Sequence, residues 1–293
     1  MRIVTFRVAG ERRVGVLDAD HSVRTFNLPV VQSSNGALAI VSLQAAGKPL
    51  PDLLDAMPLS DVTLEAPIPH PHRNLFCVGK NYVDHAAEFA GSGFDSSAAQ
   101  GAQPKAPIIF SKLPECVIAS GEAIRIDAGV SSKIDYEAEL GVIIGHGGRG
   151  ISHTDAMDHV WGYTIINDVT ARDLQGKHSQ WLIGKSQDTF CPMGPMAVSA
   201  DEIDLAKTTV RGWVNDELRQ EAPVADLIFD IPTLIATLSA GITLMPGDVI
   251  ATGTPAGVGI GFDPPKYLRD GDVVRIAIDG MGELSNPVKE VTQ

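Results

Sequence analysis

From position 106 to the C terminus the chain is a succession of short apolar runs, each closed by a turn. They read "APIIFSK", "AIRID", "AELGVIIG", "HVWGYTIIND", "PMAVSA", "TVRGWVND", "DVIATGT" and "DVVRIAIDG". Runs of this length, rich in Val and Ile and bounded by Gly, Asp and Asn, are strands. Only "MDHV", the region around "ARDLQ" and "DIPTLIATLSAGITL" carry helical character; in the last, Ile231, Leu234, Ile235 and Leu238 fall at helical spacing, as one core face requires. Many strands with few intervening helices exclude a doubly wound sheet. They predict a mostly β fold of the α+β class, largely antiparallel, with a few helices attached.

Residues 1–65 read as a separate small α+β domain. "RIVTFRV", "RRVGVLD" and "SVRTFNL" are its strands, and "ALAIVSLQAAG" and "LPDLLDAM" its helices. Three prolines within residues 66–71 make 66–74 an extended linker, with His70 and His72 as strap residues rather than ligands, and the larger unit occupies 75–293. Within that unit "AGSGFDSSAAQGAQPKAP" has almost nothing to bury and is expected to be a mobile loop.

Composition removes several classes of function. The 293 residues are 44% hydrophobic and 20% charged, which suits a soluble globular protein with a sizeable core. No apolar stretch approaches the roughly 18 residues of a membrane span. A net charge of −13 argues against nucleic-acid binding. The three cysteines (Cys77, Cys116 and Cys191) are far apart and form no CxxC, against a disulfide framework or a zinc site. The N-terminal "MRIVTFRVAGERRVG" is broken early by charge, unlike a secretion signal, so a cytoplasmic location is expected.

The chemistry-bearing residues begin with "DYEAELGVIIG" at position 135. On a strand Glu137 and Glu139 share a face while Tyr136, Ala138 and Leu140 take the other. Two carboxylates side by side repel unless a proton or cation sits between them; a solvated edge strand would also tolerate them. Asp168, at the end of "WGYTIIND", is a third oxygen donor, or alternatively the N-cap of the helix that follows. All-oxygen ligation selects a hard ion, Mg²⁺ or Mn²⁺ with Ca²⁺ as a further candidate, and three carboxylates leave coordination sites for water and substrate.

In "GKNYVDHAAEF" His85 and Glu88 lie at i and i+3, so the carboxylate can orient the imidazole as a general base. Lys185 in "IGKSQDTFCPMGP" could stabilise a developing enolate, or be an exposed strand lysine. Arg172 and Gln175 of "ARDLQ", and the Thr254 hydroxyl with the turn amides of "VIATGTPAGVG", could hold a substrate carboxylate. "IGHGGRG" lacks nucleotide-loop spacing and is a glycine-rich turn.

Taken together, "GKNYVDHAAE", "DYEAELGVIIG", "INDVTARDLQ", "GKSQDTFCPMGP", "VNDELRQE" and "GDVIATGTPAGVG" resemble the fumarylacetoacetate hydrolase superfamily, from about Leu75 to the C terminus. The resemblance implies a mixed β-sandwich roll behind a small N-terminal domain, usually dimeric. It implies Glu137, Glu139 and Asp168 as ligands of a divalent metal, His85 and Glu88 as a water-activating dyad, and Lys185 against the substrate's enolate oxygen. Arg172, Gln175 and Thr254 fall near substrate-contacting positions, with Tyr82 as a further candidate contact. Some members supply another metal-binding aspartate where this chain has Asn81 and Tyr82.

The activity expected from the resemblance is hydrolysis of the C–C bond of an acylpyruvate, of the fumarylpyruvate or maleylpyruvate type, in aromatic-compound catabolism. The expected partner is a small 2-oxo acid, with no nucleic acid or membrane, in a homodimer. Decarboxylation of an oxaloacetate-like acid or isomerisation of a 2-hydroxyhepta-2,4-dienedioate would use the same metal–enolate platform. A Ca²⁺-stapled binding protein and an idle 2-oxo-acid sensor are the non-catalytic alternatives. The Gly91–Gln103 stretch, directly after the dyad, is expected to form part of a lid.

Overall fold

A computed structural model describes residues 1–91 and 103–292. The expected lid therefore lies, apart from its two end residues, outside the described residues. A twelve-stranded mixed sheet forms the body. Its path runs Leu53–Pro58, Ser22–Phe26, Glu11–Leu17, Arg2–Val8, Cys191–Ser199, Val160–Asn167, Ala138–Ile144, Val249–Ala251, Leu75–Gly79 and Ile108–Lys112. A second sheet of five strands orders Glu217–Pro223, Thr209–Val214, Val273–Ile278, Gly282–Glu290 and Ile124–Ile126. Most pairings are antiparallel, as expected; Val249–Ala251 on Leu75–Gly79 is one of the parallel exceptions.

The two sheets share one apolar core. Leu140, Val142, Tyr163, Ile165 and Val198 of the large sheet are buried together with Val210, Val274, Ile276, Ile278 and Leu284 of the small one. The helix Ile231–Ser239 adds Ile231, Leu234, Ile235 and Leu238 to this core, and Asp230 caps its start by accepting from the Thr233 amide at 2.9 Å. The N-terminal strands continue the large sheet rather than standing off it: Arg2 and Ile3 pair with Val198 and Ala197.

One local expectation fails. "LPDLLDAM" is not a helix but the edge strand Leu53–Pro58, paired with Ser22–Phe26. Prolines at 51 and 58 bracket a segment too short to nucleate a helix alone, and sheet pairing outweighs its propensity. The alternative reading of Lys185 as an exposed strand lysine also falls: Leu182–Lys185 is a single helical turn, and Lys185 is buried at its end. Among the described residues no helix is long and apolar enough to cross a membrane.

Candidate active site

The strand Ala138–Ile144 runs through the middle of the large sheet, and all seven of its residues are buried. The edge-strand reading of the two glutamates is thereby excluded. Tyr136, Ala138 and Leu140 face the inter-sheet core, as alternation demands, so Glu137 and Glu139 point the other way. Pairing of Ala138 with Asn167 brings the next residue, Asp168, alongside: its amide donates to the Glu137 carbonyl at 2.9 Å, and Asn167 Oδ1 accepts from the Glu137 amide at 3.1 Å. A short ribbon, Ile134–Asp135 against Thr170–Ala171, fixes the same register from the other side. Ligand-atom positions of Glu137, Glu139 and Asp168 lie within 4.8 Å of one another, in full burial.

Among the described residues three buried cations pair with these carboxylates or their neighbour Asp135. Lys185 Nζ donates to Glu137 Oε2 and Asp168 Oδ2, both at 2.8 Å. Arg172 contacts Glu137 Oε1 at 2.7 Å and Asp135 Oδ2 at 2.8 Å. Lys112 Nζ donates to Asp168 Oδ1 at 2.6 Å, to the Val169 carbonyl at 3.0 Å, and to the Lys185 carbonyl. Burial raises the Glu137 pKa, but Lys185 and Arg172 more than reverse this and bring it to about 2. Asp168 is no helix N-cap: Ala171 holds that position before the Arg172–Lys177 helix and makes no side-chain cap, and both Asp168 oxygens are taken by lysines.

Glu139 is the exception. Its Oε2 accepts from the Gly253 amide at 2.8 Å, and among the described residues no cationic side chain pairs with it. Burial first, then the charges of Asp168 and Glu137, push its pKa well above the carboxylate range. A buried carboxyl in this state must hold a proton or face a cation. The all-oxygen donor set fits a divalent hard ion such as Mg²⁺ or Mn²⁺.

The remaining predicted residues gather on this triad, with one exception. His85, Arg172, Gln175, Lys185 and Thr254 line one cavity with Glu137 and Glu139. It measures about 10 Å³, the space of a single water. His85 sits at i, Glu88 at i+3 of the helix Val83–Gly91, and Nδ1 lies 3.3 Å from Glu88 Oε2. Gln175 Oε1 accepts from Arg172 Nη1 at 3.2 Å. Tyr82 does not line the cavity: it is buried, its backbone bridges to Leu227, and burial raises its phenol pKa, with the Glu139 and Asp226 charges adding to the rise. Asn81 is a clamp, donating to the Phe229 and Thr252 carbonyls at 3.0 and 2.7 Å.

The turn amides expected to grip a substrate carboxylate instead grip the chain's own. Gly257 N donates to Glu88 Oε1 at 3.0 Å, and Gly259 N and Ile260 N donate to Asp135 at 2.6 and 3.0 Å. Residues not singled out in the sequence also build the site. Lys80 and Trp181 line the cavity, Lys80 in the left-handed backbone region at φ 55°. A Cβ on Gly79 would lie 2.5 Å from the Trp181 ring, so only glycine lets that ring close over the strand. Lys112 and Asp135 end short apolar or mixed runs and have no motif spacing; burial alone marks them.

A model of the fumarylacetoacetate (FAA) hydrolase C-terminal region matches residues 74–289. The chain belongs to the fumarylacetoacetate hydrolase family. It is 52% identical over 231 residues to the oxaloacetate tautomerase YisK of Bacillus subtilis (strain 168), spanning 78% of this chain and 74% of that one. Among solved structures it is 40% identical to the fumarylacetoacetate hydrolase of Exiguobacterium antarcticum, with a TM-score of 0.84 over 99% of this chain and 100% of that one. It is 30% identical to a maleylpyruvate hydrolase from Sphingobium sp. SYK-6 in complex with manganese (II) and pyruvate, with a TM-score of 0.75 over 100% of both chains.

These relatives confirm the resemblance and the fold, and correct the activity. Acylpyruvate hydrolysis of the fumarylpyruvate or maleylpyruvate type is overturned by the likeness to an oxaloacetate tautomerase, which favours the oxaloacetate-directed alternative. The motifs that suggested a hydrolase are shared with a relative named as an oxaloacetate tautomerase.

Proposed function

We propose that this protein is a divalent-metal-dependent tautomerase that interconverts the enol and keto forms of oxaloacetate. The observation that carries the proposal is the joining of a buried three-carboxylate cluster to Lys185 and a His–Glu dyad in a chain 52% identical to an oxaloacetate tautomerase. Held by Glu137, Glu139 and Asp168, a divalent cation supplies Lewis acidity that lowers the cost of an enolate at a 2-oxo oxygen.

This chain's own residues supply the rest. Lys185, with two N–H groups on Glu137 and Asp168, directs its third at the oxygen on which charge develops. Gln175, its amide oxygen engaged by Arg172, turns its N–H₂ to a substrate carboxylate. With Nδ1 held by Glu88, His85 exchanges protons through Nε2. In the enol-to-keto direction His85 takes the hydroxyl proton and a proton is returned to C3. One O–H bond breaks and one C–H bond forms, with no change in composition.

Ultraviolet absorbance of freshly dissolved enol-oxaloacetate provides the test. Decay to the keto form should be accelerated by the protein with Mg²⁺ or Mn²⁺, lost with chelator, and lost in His85→Ala while the metal still binds. Decay at the buffer-catalysed rate with metal present would refute the proposal.

A further inference from the structure

Gln220 lies on the edge strand of the second sheet, Glu217–Pro223, and is fully buried. Its side-chain amide crosses to the other sheet. Oε1 accepts from the Ala138 amide at 3.1 Å, between the two candidate ligands Glu137 and Glu139. Nε2 donates to the Pro255 carbonyl at 2.8 Å and to Thr254 Oγ1 at 2.7 Å. Two of these partners fix the orientation of the amide. A backbone N–H can only donate and a carbonyl can only accept, so the amide oxygen must face Ala138 and the nitrogen must face Pro255 and Thr254.

The consequence falls on Thr254. Its oxygen accepts a hydrogen bond from Gln220 Nε2, so its own hydroxyl hydrogen points elsewhere, and among the described residues no protein group accepts it. Thr254 is 2% exposed and lines the cavity with Glu137, Glu139, His85 and Lys185. We infer that Gln220 is a positioning residue that makes Thr254 an obligate hydrogen-bond donor to an anionic oxygen of the bound 2-oxo acid. The inference rests on the tautomerase reading and adds a rule of selectivity. A carboxylate or enolate oxygen is accepted at this point, and a group that presents its own N–H or O–H there is rejected.

Gln220→Glu tests it with an isosteric change. With the titration run above the raised pKa that burial gives this carboxyl, the carboxylate still accepts from Ala138 but can only accept from Thr254, so the threonine hydroxyl turns toward residue 220 and away from the substrate. The probe is oxalate, titrated calorimetrically into the Mn²⁺-loaded protein, with Mn²⁺ binding and thermal melting measured on each variant. Gln220→Glu and Thr254→Val should each weaken oxalate binding roughly ten- to a hundredfold, as loss of a hydrogen bond to a charged group does. Thr254→Ser should bind as wild type does. In the double variant most of the Gln220→Glu penalty should vanish, because Gln220 acts through Thr254. If Gln220→Glu fails to melt cooperatively, Gln220→Met takes its place: it removes the tie without redirecting the hydroxyl, so it should weaken oxalate binding less, and that smaller penalty must vanish in the double variant with Thr254→Val.

Penalties that multiply in the double variant, or wild-type affinity in Thr254→Val, would overturn the role of Gln220. Because oxalate binding is read without turnover, Thr254-dependent binding in a protein that does not tautomerise oxaloacetate would overturn the tautomerase reading alone. A Mn²⁺-loaded wild type that does not bind oxalate would overturn both.

Discussion

At the scale of single residues, Glu139 and Lys112 carry opposite electrostatic burdens. Burial and two like charges raise the Glu139 pKa above its unfolded value, so the metal-free fold binds a proton there more tightly than the unfolded chain does. Stability from this group therefore falls as pH rises past the unfolded value, and a cation at the site removes the loss. Mn²⁺ affinity, measured by calorimetry, should accordingly rise with pH as Glu139 gives up its proton. Glu139→Gln should leave the metal-free melting temperature unchanged or a few °C higher and abolish the Mn²⁺-induced shift. Glu137 has the reverse sign: at about 2 against an ordinary 4.5, it stabilises the fold fully above about 4.5 and loses that contribution only as pH falls toward 2. Lys112 is fully buried against Asp168. Lys112→Met leaves Lys185 as the cation paired with the buried Asp168 and should cost about 2–3 kcal/mol in denaturant unfolding, less than the full cost of an unpaired buried charge; a change below about 1 kcal/mol would show that the pair is not what holds Asp168.

At the scale of elements, the helix Val83–Gly91 is registered to the site through Glu88, which Gly257 holds by its amide and Gly261 admits by its lack of a side chain. A Cβ on Gly261 would fall 1.8 Å from Glu88 Oε1. A flexible carboxylate can move aside cheaply, so Gly261→Ala should cost about 1 kcal/mol or less in stability yet lower kcat by about tenfold or more, because the dyad is displaced. Loss of stability and kcat in proportion would contradict this. The element scale also shows what could be read from the chain in advance. Period-two alternation placed Glu137 and Glu139 on one side of a strand, and period-3.6 spacing identified the helix at Ile231. Leu53–Pro58 and Leu182–Lys185 escaped because their conformations come from pairing and burial rather than from local pattern. Asp135, Lys112 and Gln220 escaped for a related reason: each acts on residues 34 to 125 positions away, and no spacing rule reaches that far.

At the scale of the whole molecule, the candidate ligands sit on or beside strands of the large sheet and turn away from the inter-sheet core, while Gln220 of the second sheet reaches their neighbour Thr254. A cation bridging Glu137, Glu139 and Asp168 also joins distant stretches of chain, so it should stabilise the fold as a unit. At a Mn²⁺ concentration about 100-fold above Kd the gain is about 2.7 kcal/mol. Differential scanning calorimetry should show one transition moving upward by several °C. A crystal of the protein soaked with Mn²⁺ and oxalate, recorded at the manganese absorption edge, tests the metal centre most directly. The predicted result is one strong anomalous peak about 2.0–2.2 Å from an oxygen of each of Glu137, Glu139 and Asp168, with oxalate completing its shell. A peak elsewhere, or Lys185 still bridging Glu137 and Asp168 with no ion between the carboxylates, would contradict it.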